Sequence, residues 1–345
     1  MSRLHNLDYL RGLAAFGIMI YHYLSWTLGY FSADTLMGRL GIYGVSIFYV
    51  LSGLTLYYVY YDKMKPSRTD VIAFFKKRIF RIFPLLWLVT LAAILISAKM
   101  PDPYNLFLNL TGLFGFVKWD TYFSAGIWSI GNELVFYVFF PFFVLFAKSL
   151  KPLLILLSVV LLGLYIYFAF FRLNPDGNLH DQWRNYVNPL NQVFLFLGGF
   201  LIGLLLHRAP IKNWIALTGL LLAVVVFLFW PAAGDTISLV TGINRLVFTA
   251  SCFLICICFY KLTFAFPDFI HKPLTLLGEA SYSVYLLHPI VYGLTGLAST
   301  YIFHVPESVR LVASVTGTLI ISYFVYQYFE KYFMKLGRTN KKTTS

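Results

Sequence analysis

The feature that most limits how this 345-residue chain can fold is a succession of long apolar runs. Hydrophobic residues make up 59% of the sequence and charged residues 12%, and the mean hydropathy is +0.74. A run of about 17 to 25 mostly apolar residues is long enough to cross a bilayer as a helix. About ten such runs are present, at 9–28, 40–61, 82–98, 127–147, 153–171, 190–206, 214–230, 239–260, 275–298 and 309–329. The sequence therefore predicts an all-α polytopic integral membrane protein embedded in the lipid bilayer.

The placement of Lys and Arg residues predicts that both termini lie in the cytoplasm. Cytoplasmic loops of membrane proteins are enriched in these residues. Most of the 27 in this chain fall in segments that an even number of spans places on one side, such as 63–68, 76–81 and 331–342. Arg11 and Arg245 lie inside predicted spans. Because topology explains the net charge of +13, the charge does not indicate a nucleic-acid partner.

We predict a single membrane domain over residues 1–345. The apolar stretch 105–117 is short and interrupted by glycine, so we interpret it as interfacial or re-entrant. Asp8 and Arg11 interrupt the first run, and we therefore expect the first helix to be retained rather than removed as a signal peptide. Residues from approximately 336 to 345 are predicted to form a disordered cytoplasmic tail.

Arg11 and His22, both in the first run, are the strongest indication of function. Eleven positions separate them, which is about three helical turns, so the side chains lie on nearly the same face, about 16 Å apart along the axis. Ionisable residues within a span usually face a bundle interior or a wet cavity and mark functional sites. Histidine also exchanges protons near neutral pH. The alternatives are a structural His22 and an Arg11 that pairs with Asp8 at the membrane surface.

Other ionisable residues are predicted to lie at the depth of His22, in the outer half of the bilayer. Counting 1.5 Å per residue from the span ends places His22 and Glu133 each roughly 20 Å from the inner surface. His288 and Arg245 reach a similar level by the same count. The alternatives are an ion pair between Glu133 and Arg245 and a kink-associated polar contact for His288. The shared depth predicts one polar layer built from several spans.

The three cysteines, Cys252, Cys256 and Cys258, lie in one apolar run without metal-ligand spacing. We interpret them as small apolar packing residues. No bound metal and no bound cofactor are therefore predicted.

Several motifs occur along the chain in the order that characterises a known family. They are Leu7–Ala15 running to His22, Gly44–Gly53, Arg78–Pro84, Trp128–Tyr137, Leu277–His288 and Glu330–Lys331. In this order and spacing they resemble the signatures of the membrane acyltransferase 3 family, whose members are bacterial polytopic O-acyltransferases. Ser46, Glu279 and Tyr332 depart from the family's pattern, which leaves the acceptor less defined than the reaction. We expect a stand-alone form without the esterase-like domain that some members append.

The resemblance implies that an acyl group, most often acetyl, moves from cytoplasmic acyl-CoA to a hydroxyl of an extracytoplasmic or lipid-linked carbohydrate at a bacterial inner membrane. Acyl-CoA is then the donor substrate. Arg11, Arg78 and Arg81 are expected to bind its phosphates at the cytoplasmic mouth, because guanidinium groups match phosphate oxygens. The rise of about 16 Å from Arg11 to His22 is similar to the reach of an extended pantetheine arm.

His22 is expected to act as general base on the acceptor hydroxyl or to carry the acyl group covalently. Glu133 is expected to orient His22 or to bind acceptor hydroxyls, and Arg245 or His288 to stabilise the oxyanion. The outer loop 172–188 is either a saccharide-binding segment or a plain connection.

Other functions stay open. A transporter or flippase also places polar residues within its spans, although no matched half-sequences are present here. An acyltransferase for a lipid or small-molecule acceptor would work from the inner face. A scaffold subunit of a polysaccharide synthesis complex would not need His22. The sequence does not define the oligomeric state.

Overall fold

The computed structural model describes residues 4–65, 67–263 and 266–338, and these residues form helices and loops without any β-strand. Arg3 and the predicted tail from residue 339 onward, with Lys341 and Lys342, lie outside the described residues. The α-helices are α1 (His5–Leu28), α2 (Leu36–Tyr60), α3 (Arg68–Ser97), α4 (Pro103–Thr111), α5 (Phe114–Val117), α6 (Ile127–Ser149), α7 (Lys151–Tyr167), α8 (Trp183–Tyr186), α9 (Pro189–Leu206), α10 (Asn213–Phe229), α11 (Ile237–Val240), α12 (Gly242–Lys261), α13 (Asp268–Glu279), α14 (Ser281–Ala298), α15 (Glu307–Phe324) and α16 (Lys331–Leu336). Turns of π-helix follow α7, α14 and α15 at Phe168–Arg172, Ser299–Phe303 and Val325–Glu330. The all-α prediction is confirmed.

Among the described residues, 8 helical stretches are long and apolar enough to cross a membrane. They are Leu36–Tyr60, Arg68–Ser97, Ile127–Ser149, Lys151–Arg172, Trp183–Leu206, Gly242–Lys261, Ser281–Phe303 and Glu307–Leu336. The two other predicted spans correspond to α10, which has 17 residues, and to α1, which carries Asp8, Arg11 and His22. The chain is thus a polytopic membrane protein, whereas the count of ten spans and the cytoplasmic termini stay predictions.

The stretch 105–117 forms the short helices α4 and α5. The Asp102 side chain caps α4 by accepting from the Asn105 N–H over 2.9 Å, and Gly112 ends it in the left-handed region. Helices of 9 and 4 residues are too short to span a bilayer. The glycine that interrupts this stretch in the sequence indicates the same. The second of them, α5, packs against the start of α6.

Glycines allow α2 and α9 to pack with their backbones in contact. A Cβ atom on Gly53 would lie 1.9 Å from the carbonyl oxygen of Phe196, and one on Gly199 would lie 1.9 Å from that of Val50. In lipid, apolar side chains gain little by leaving the solvent, so close backbone approach and dispersion drive helix association. This contact fixes α2, which contributes several residues to the candidate site.

Helix α1 occupies a central position, because it packs against α2, α13 and α14. Helix α14 packs in turn against α3 and α15, and α6 packs against α9. This arrangement brings one face of each of α1, α2, α3, α6 and α14 to a shared interior space, where the polar residues of these helices meet.

Candidate active site

A cavity of about 260 Å³ lies between α1, α2, α3, α6 and α14. Arg11, Arg78 and Arg81 line it together with Glu133, and we call it the arginine cavity. Arg11 donates to Thr55 Oγ1 over 2.8 Å and to Asp8 Oδ1 over 3.4 Å. The structure thus brings the three predicted arginines to one cavity, and the alternative pairing of Arg11 with Asp8 exists alongside it.

Aromatic side chains hold the guanidinium of Arg78 in place. It lies 5.7 Å from the ring centroid of Tyr60, 5.8 Å from that of Tyr137 and 6.0 Å from that of Phe74. Such contacts orient a cation without neutralising it. Among the described residues, the buried Nε atom of Arg78 has no hydrogen-bond partner. An unsatisfied buried donor carries a desolvation cost that an anionic ligand would remove.

Arg81 also lacks a strong acceptor in its hydrogen bond. Its Nη1 lies 3.7 Å from the sulfur of Met334, and a thioether is a weak acceptor. Three guanidinium groups therefore face a cavity whose lining includes one carboxylate, that of Glu133. This balance favours an anionic ligand.

Glu133 lies in the arginine cavity and not beside His22. Its Oε1 accepts from Ser52 Oγ over 2.8 Å and from the hydroxyl of Tyr137. The expectation that Glu133 orients His22 is therefore wrong, because the two residues line different cavities. Hydropathy places the start of the helix correctly at residue 127, but it does not show that the loop residues before α6 line a cavity together with His22.

The ring of His22 lies nearly parallel to two other rings. The centroid of Trp26 is 5.1 Å away at an interplanar angle of 4°, and that of His288 is 5.0 Å away at 8°. The Nδ1 atom of His22 lies 2.8 Å from Nε2 of His288. His288 is completely buried, with 0% of its surface exposed. The sequence predicts only a shared depth for these two histidines, and the structure places them in direct contact.

Backbone carbonyls determine which nitrogen of His288 carries its proton. Nδ1 lies 3.2 Å from the carbonyl oxygen of Val284 and also contacts that of Tyr285. A carbonyl only accepts, so Nδ1 carries the hydrogen. The Tyr285 carbonyl is available because Pro289 has no N–H to bind it. In the neutral pair, Nε2 of His288 accepts from Nδ1 of His22, which leaves the lone pair of His22 on its Nε2 atom.

His22 lines a second cavity of about 250 Å³, which we call the histidine cavity. Its other lining residues are Tyr122, Phe123, Ser124, Ala125, Gly126, Trp128 and Trp183. Trp183 Nε1 donates to the hydroxyl oxygen of Tyr122 over 2.7 Å. Burial raises the pKa of Tyr122 above its ordinary value, so its hydroxyl stays protonated at neutral pH and can donate to a ligand. Aromatic faces with polar edges suit a ligand that carries both C–H and O–H groups.

The loop 172–188 contributes Trp183 to the histidine cavity. Its other polar residues bond mainly within the loop: the Asn174 N–H donates to Gln182 Oε1 over 2.7 Å, and Asn178 donates to Asp181 over 2.7 Å. Part of this loop therefore lines the cavity, and part serves as a connection.

Arg245 is 2% exposed and lies apart from both cavities. It donates to Asn191 Oδ1 over 2.6 Å, and its guanidinium lies 3.9 Å from the ring centroid of Tyr165. The structure thus does not bring Arg245 to His22, so its expected role in oxyanion stabilisation stays a prediction without support from the geometry. Among the residues that the structure describes, Arg245 contacts Asn191 and Tyr165 rather than pairing with Glu133. An amide oxygen and an aromatic face stabilise this buried cation instead.

Several residues that contact the candidates are not predicted from the sequence. Trp26 follows His22 by four positions and Tyr137 follows Glu133 by four, so helical spacing contains a signal for both. Ser52, although part of the Gly44–Gly53 motif, lies on a different helix from Glu133, and Tyr122 lies in a loop far from His22 in the sequence. No local pattern indicates that these residues meet the candidates.

Comparison with known proteins gives independent findings. Residues 4–327 match the family model described as an acyltransferase domain. O-acetyltransferase OatA from Staphylococcus aureus (strain NCTC 8325 / PS 47) is 23% identical over 376 aligned positions, which cover 97% of this chain and 58% of that protein. "Putative acetyltransferase ORF330" from Acidianus two-tailed virus is 27% identical over 296 positions, which cover 84% of this chain and 83% of that protein. The chain thus spans little more than half of the staphylococcal relative, and no solved structure matches it.

Proposed function

Because this chain belongs to the membrane acyltransferase 3 family, whose acyltransferase domain matches residues 4–327, we propose that it is an O-acetyltransferase. In this proposal the donor is cytoplasmic acetyl-CoA and the acceptor is a hydroxyl of an extracytoplasmic or lipid-linked carbohydrate at a bacterial inner membrane. One observation supports this function most directly. Helices α1 and α6 each contribute residues to both the arginine cavity and the histidine cavity. Helix α14 lines the arginine cavity and also carries His288, which contacts His22.

The arginine cavity supports binding of the donor. Coenzyme A carries several phosphates, and Arg78 and Arg81 present donors without strong acceptors of their own. Guanidinium groups form charge-assisted hydrogen bonds with phosphate oxygens, and these are stronger than neutral ones. A thin pantetheine arm then extends along α1 from Arg11 toward His22, over about 16 Å.

The histidine cavity supports the transfer step. His22 Nε2 takes the proton of the acceptor hydroxyl while the oxygen attacks the thioester carbonyl carbon. The C–S bond breaks, a C–O ester bond forms, and the proton passes from His22 to the thiolate, which leaves as coenzyme A. Ser124 lines this cavity with a hydroxyl that has no hydrogen-bond partner, so it is a candidate donor to the oxyanion. The same nitrogen of His22 would also serve as the nucleophile of a covalent acyl-histidine route.

The aromatic lining of the histidine cavity favours a carbohydrate acceptor over a hydrocarbon one. Trp128 and Trp183 lie 5.4 Å apart between ring centroids, and Tyr122 offers a protonated hydroxyl beside them. A lipid acceptor would need an apolar channel to the bilayer, and a transported solute would need a continuous path.

A deletion strain tests the proposal. Mass spectrometry of its cell-surface glycans, with and without the gene restored, is expected to show acetyl esters that depend on the gene. Restoration with His22→Ala is expected to leave the glycans unacetylated, although the variant protein reaches wild-type abundance in the membrane. His180→Ala is the matched control, because His180 is exposed and lies outside both cavities. Full acetylation with His22→Ala would reject His22 as the base and favour a scaffold or transporter.

A further inference from the structure

The ring of Tyr285 separates the arginine cavity from the histidine cavity. Tyr285 and Ser129 line the arginine cavity, and Gly126 lines the histidine cavity. The Tyr285 hydroxyl donates its one hydrogen to Ser129 Oγ over 2.8 Å and lies 3.3 Å from the Gly126 carbonyl oxygen. Ser129 Oγ donates to the same carbonyl over 2.9 Å. The side chain of Tyr285 is hydrogen-bonded to Ser129 and in contact with Gly126, and it thus lies where the linings of the two cavities meet; we call this boundary the wall.

Gly126 lets the backbone lie directly against this ring. Its φ of +87° is in the left-handed region that favours glycine. A Cβ atom at this position would lie 3.1 Å from both Cε1 and Cζ of Tyr285, which is too close for an unstrained contact. A side chain at position 126 would be strained by the backbone conformation and would require the ring to shift by a few tenths of an ångström, so glycine fits this position best.

The wall also adjoins the histidine pair. His288 follows Tyr285 by three residues on α14, a rise of about 4.5 Å, and their ring centroids are 6.0 Å apart. Phe48 packs against the other side of Tyr285, with centroids 5.6 Å apart. An acyl group that moved along α14 from the arginine cavity to the histidine pair would therefore pass the Tyr285 ring.

We propose that Tyr285 is a specificity-determining residue that limits the acyl groups reaching His22 to short ones. The inference rests on the proposed function and deepens it. A longer acyl chain needs the space that the ring occupies, so the ring must leave Ser129 and Gly126 and lose its hydrogen bond to Ser129. An acetyl group requires the least displacement.

The test uses membranes from the deletion strain in which each variant has been expressed. Acetyl-CoA and butyryl-CoA are compared as donors, and the endogenous glycan is the acceptor. Tyr285→Leu is expected to raise the butyryl-to-acetyl rate ratio about tenfold, since discrimination by pocket size is of this order. Tyr285→Phe keeps the ring and is expected to change the ratio less than Tyr285→Leu. Tyr301→Leu is the matched control, because Tyr301 is 76% exposed and lines neither cavity; it is expected to keep the wild-type ratio.

Ser129→Ala provides a second, milder variant that removes one anchor of the Tyr285 hydroxyl. It is expected to raise the ratio in the same direction by a smaller factor, and it decides the matter if Tyr285→Leu does not insert. A wild-type ratio in whichever of the two variants is active overturns the proposal. That outcome leaves the proposed function intact, whereas acetylation that does not depend on His22 overturns the function itself.

Discussion

His22 Nδ1 lies 2.8 Å from His288 Nε2, and this contact lets His288 fix the tautomer and orientation of the His22 ring. Backbone carbonyls of α14 place the proton of His288 on Nδ1, and the second ring therefore accepts from the first. His22 and His288 come from helices far apart in the sequence, which the packing of α1 against α14 brings together.

Loss of the acceptor for His22 Nδ1 is expected to lower turnover. We predict that His288→Ala reduces acetyl transfer by about a hundredfold or more, because the tautomer of a catalytic histidine then loses its support. His288→Gln is expected to recover part of the rate, since its amide oxygen can accept in place of Nε2. Initial rates at saturating acetyl-CoA measure the effect. Wild-type turnover of His288→Ala would contradict this role.

Removal of a guanidinium from the arginine cavity is expected to weaken donor binding. Arg78→Ala or Arg81→Ala should cost on the order of 1.5–3 kcal/mol, or roughly ten- to a hundredfold in acyl-CoA affinity. Lysine should restore affinity only partly, because it keeps the charge but not the fork. Calorimetry with purified protein measures the affinity, with His22→Ala and the exposed Arg208→Ala as controls. Equal affinities in all variants would defeat the assignment of this cavity to coenzyme A.

Glu133 is expected to affect donor affinity, because it shares the cavity with the arginines. Glu133→Gln keeps an oxygen for Ser52 and Tyr137 but removes a negative charge that repels an anionic donor. We predict a rise in acyl-CoA affinity of up to roughly tenfold, which shrinks as salt is added. Calorimetry at two salt concentrations measures it. A variant with unchanged affinity and depressed turnover would instead favour a direct role in the transfer step.

The backbone contact between α2 and α9 is expected to be disrupted when a side-chain carbon is added to one of its glycines. Gly199→Ala places a methyl group 1.9 Å from the Val50 carbonyl oxygen, so the helices must separate, at a cost of about 1–3 kcal/mol. Gly163→Ala in α7 is the matched control, because a Cβ there meets no atom within 4 Å. Thermal unfolding in detergent is expected to occur at a lower temperature for Gly199→Ala than for Gly163→Ala. Equal unfolding temperatures would show that the helices adjust freely.

The positive-inside rule predicts opposite sides for two loops. Reporter fusions after Lys65 are expected to report the cytoplasm, and those after Gln182 the outer side. The same side for both fusions would contradict the ten-span topology.

The elements of this fold are more readily predicted from the sequence than their contacts. Hydropathy locates the helices, because each apolar run must satisfy its own backbone in lipid. The spacing of Arg11 and His22 indicates functional residues on α1, since a helix fixes their relative position. Depth alone misplaces Glu133, because two residues at one level need not share a cavity. The proposed role of Tyr285 depends on its contact with Gly126, which lies far away in the sequence, and no local pattern indicates that contact.

The contact at Tyr285 also bears on how a bilayer-embedded chain can hold ionisable side chains. Such side chains within spans line the paths by which protons and ions cross membranes. The Tyr285 ring and the Gly126 backbone lie between the arginine cavity and the histidine cavity. We therefore expect the chain to carry out its chemistry without conducting ions.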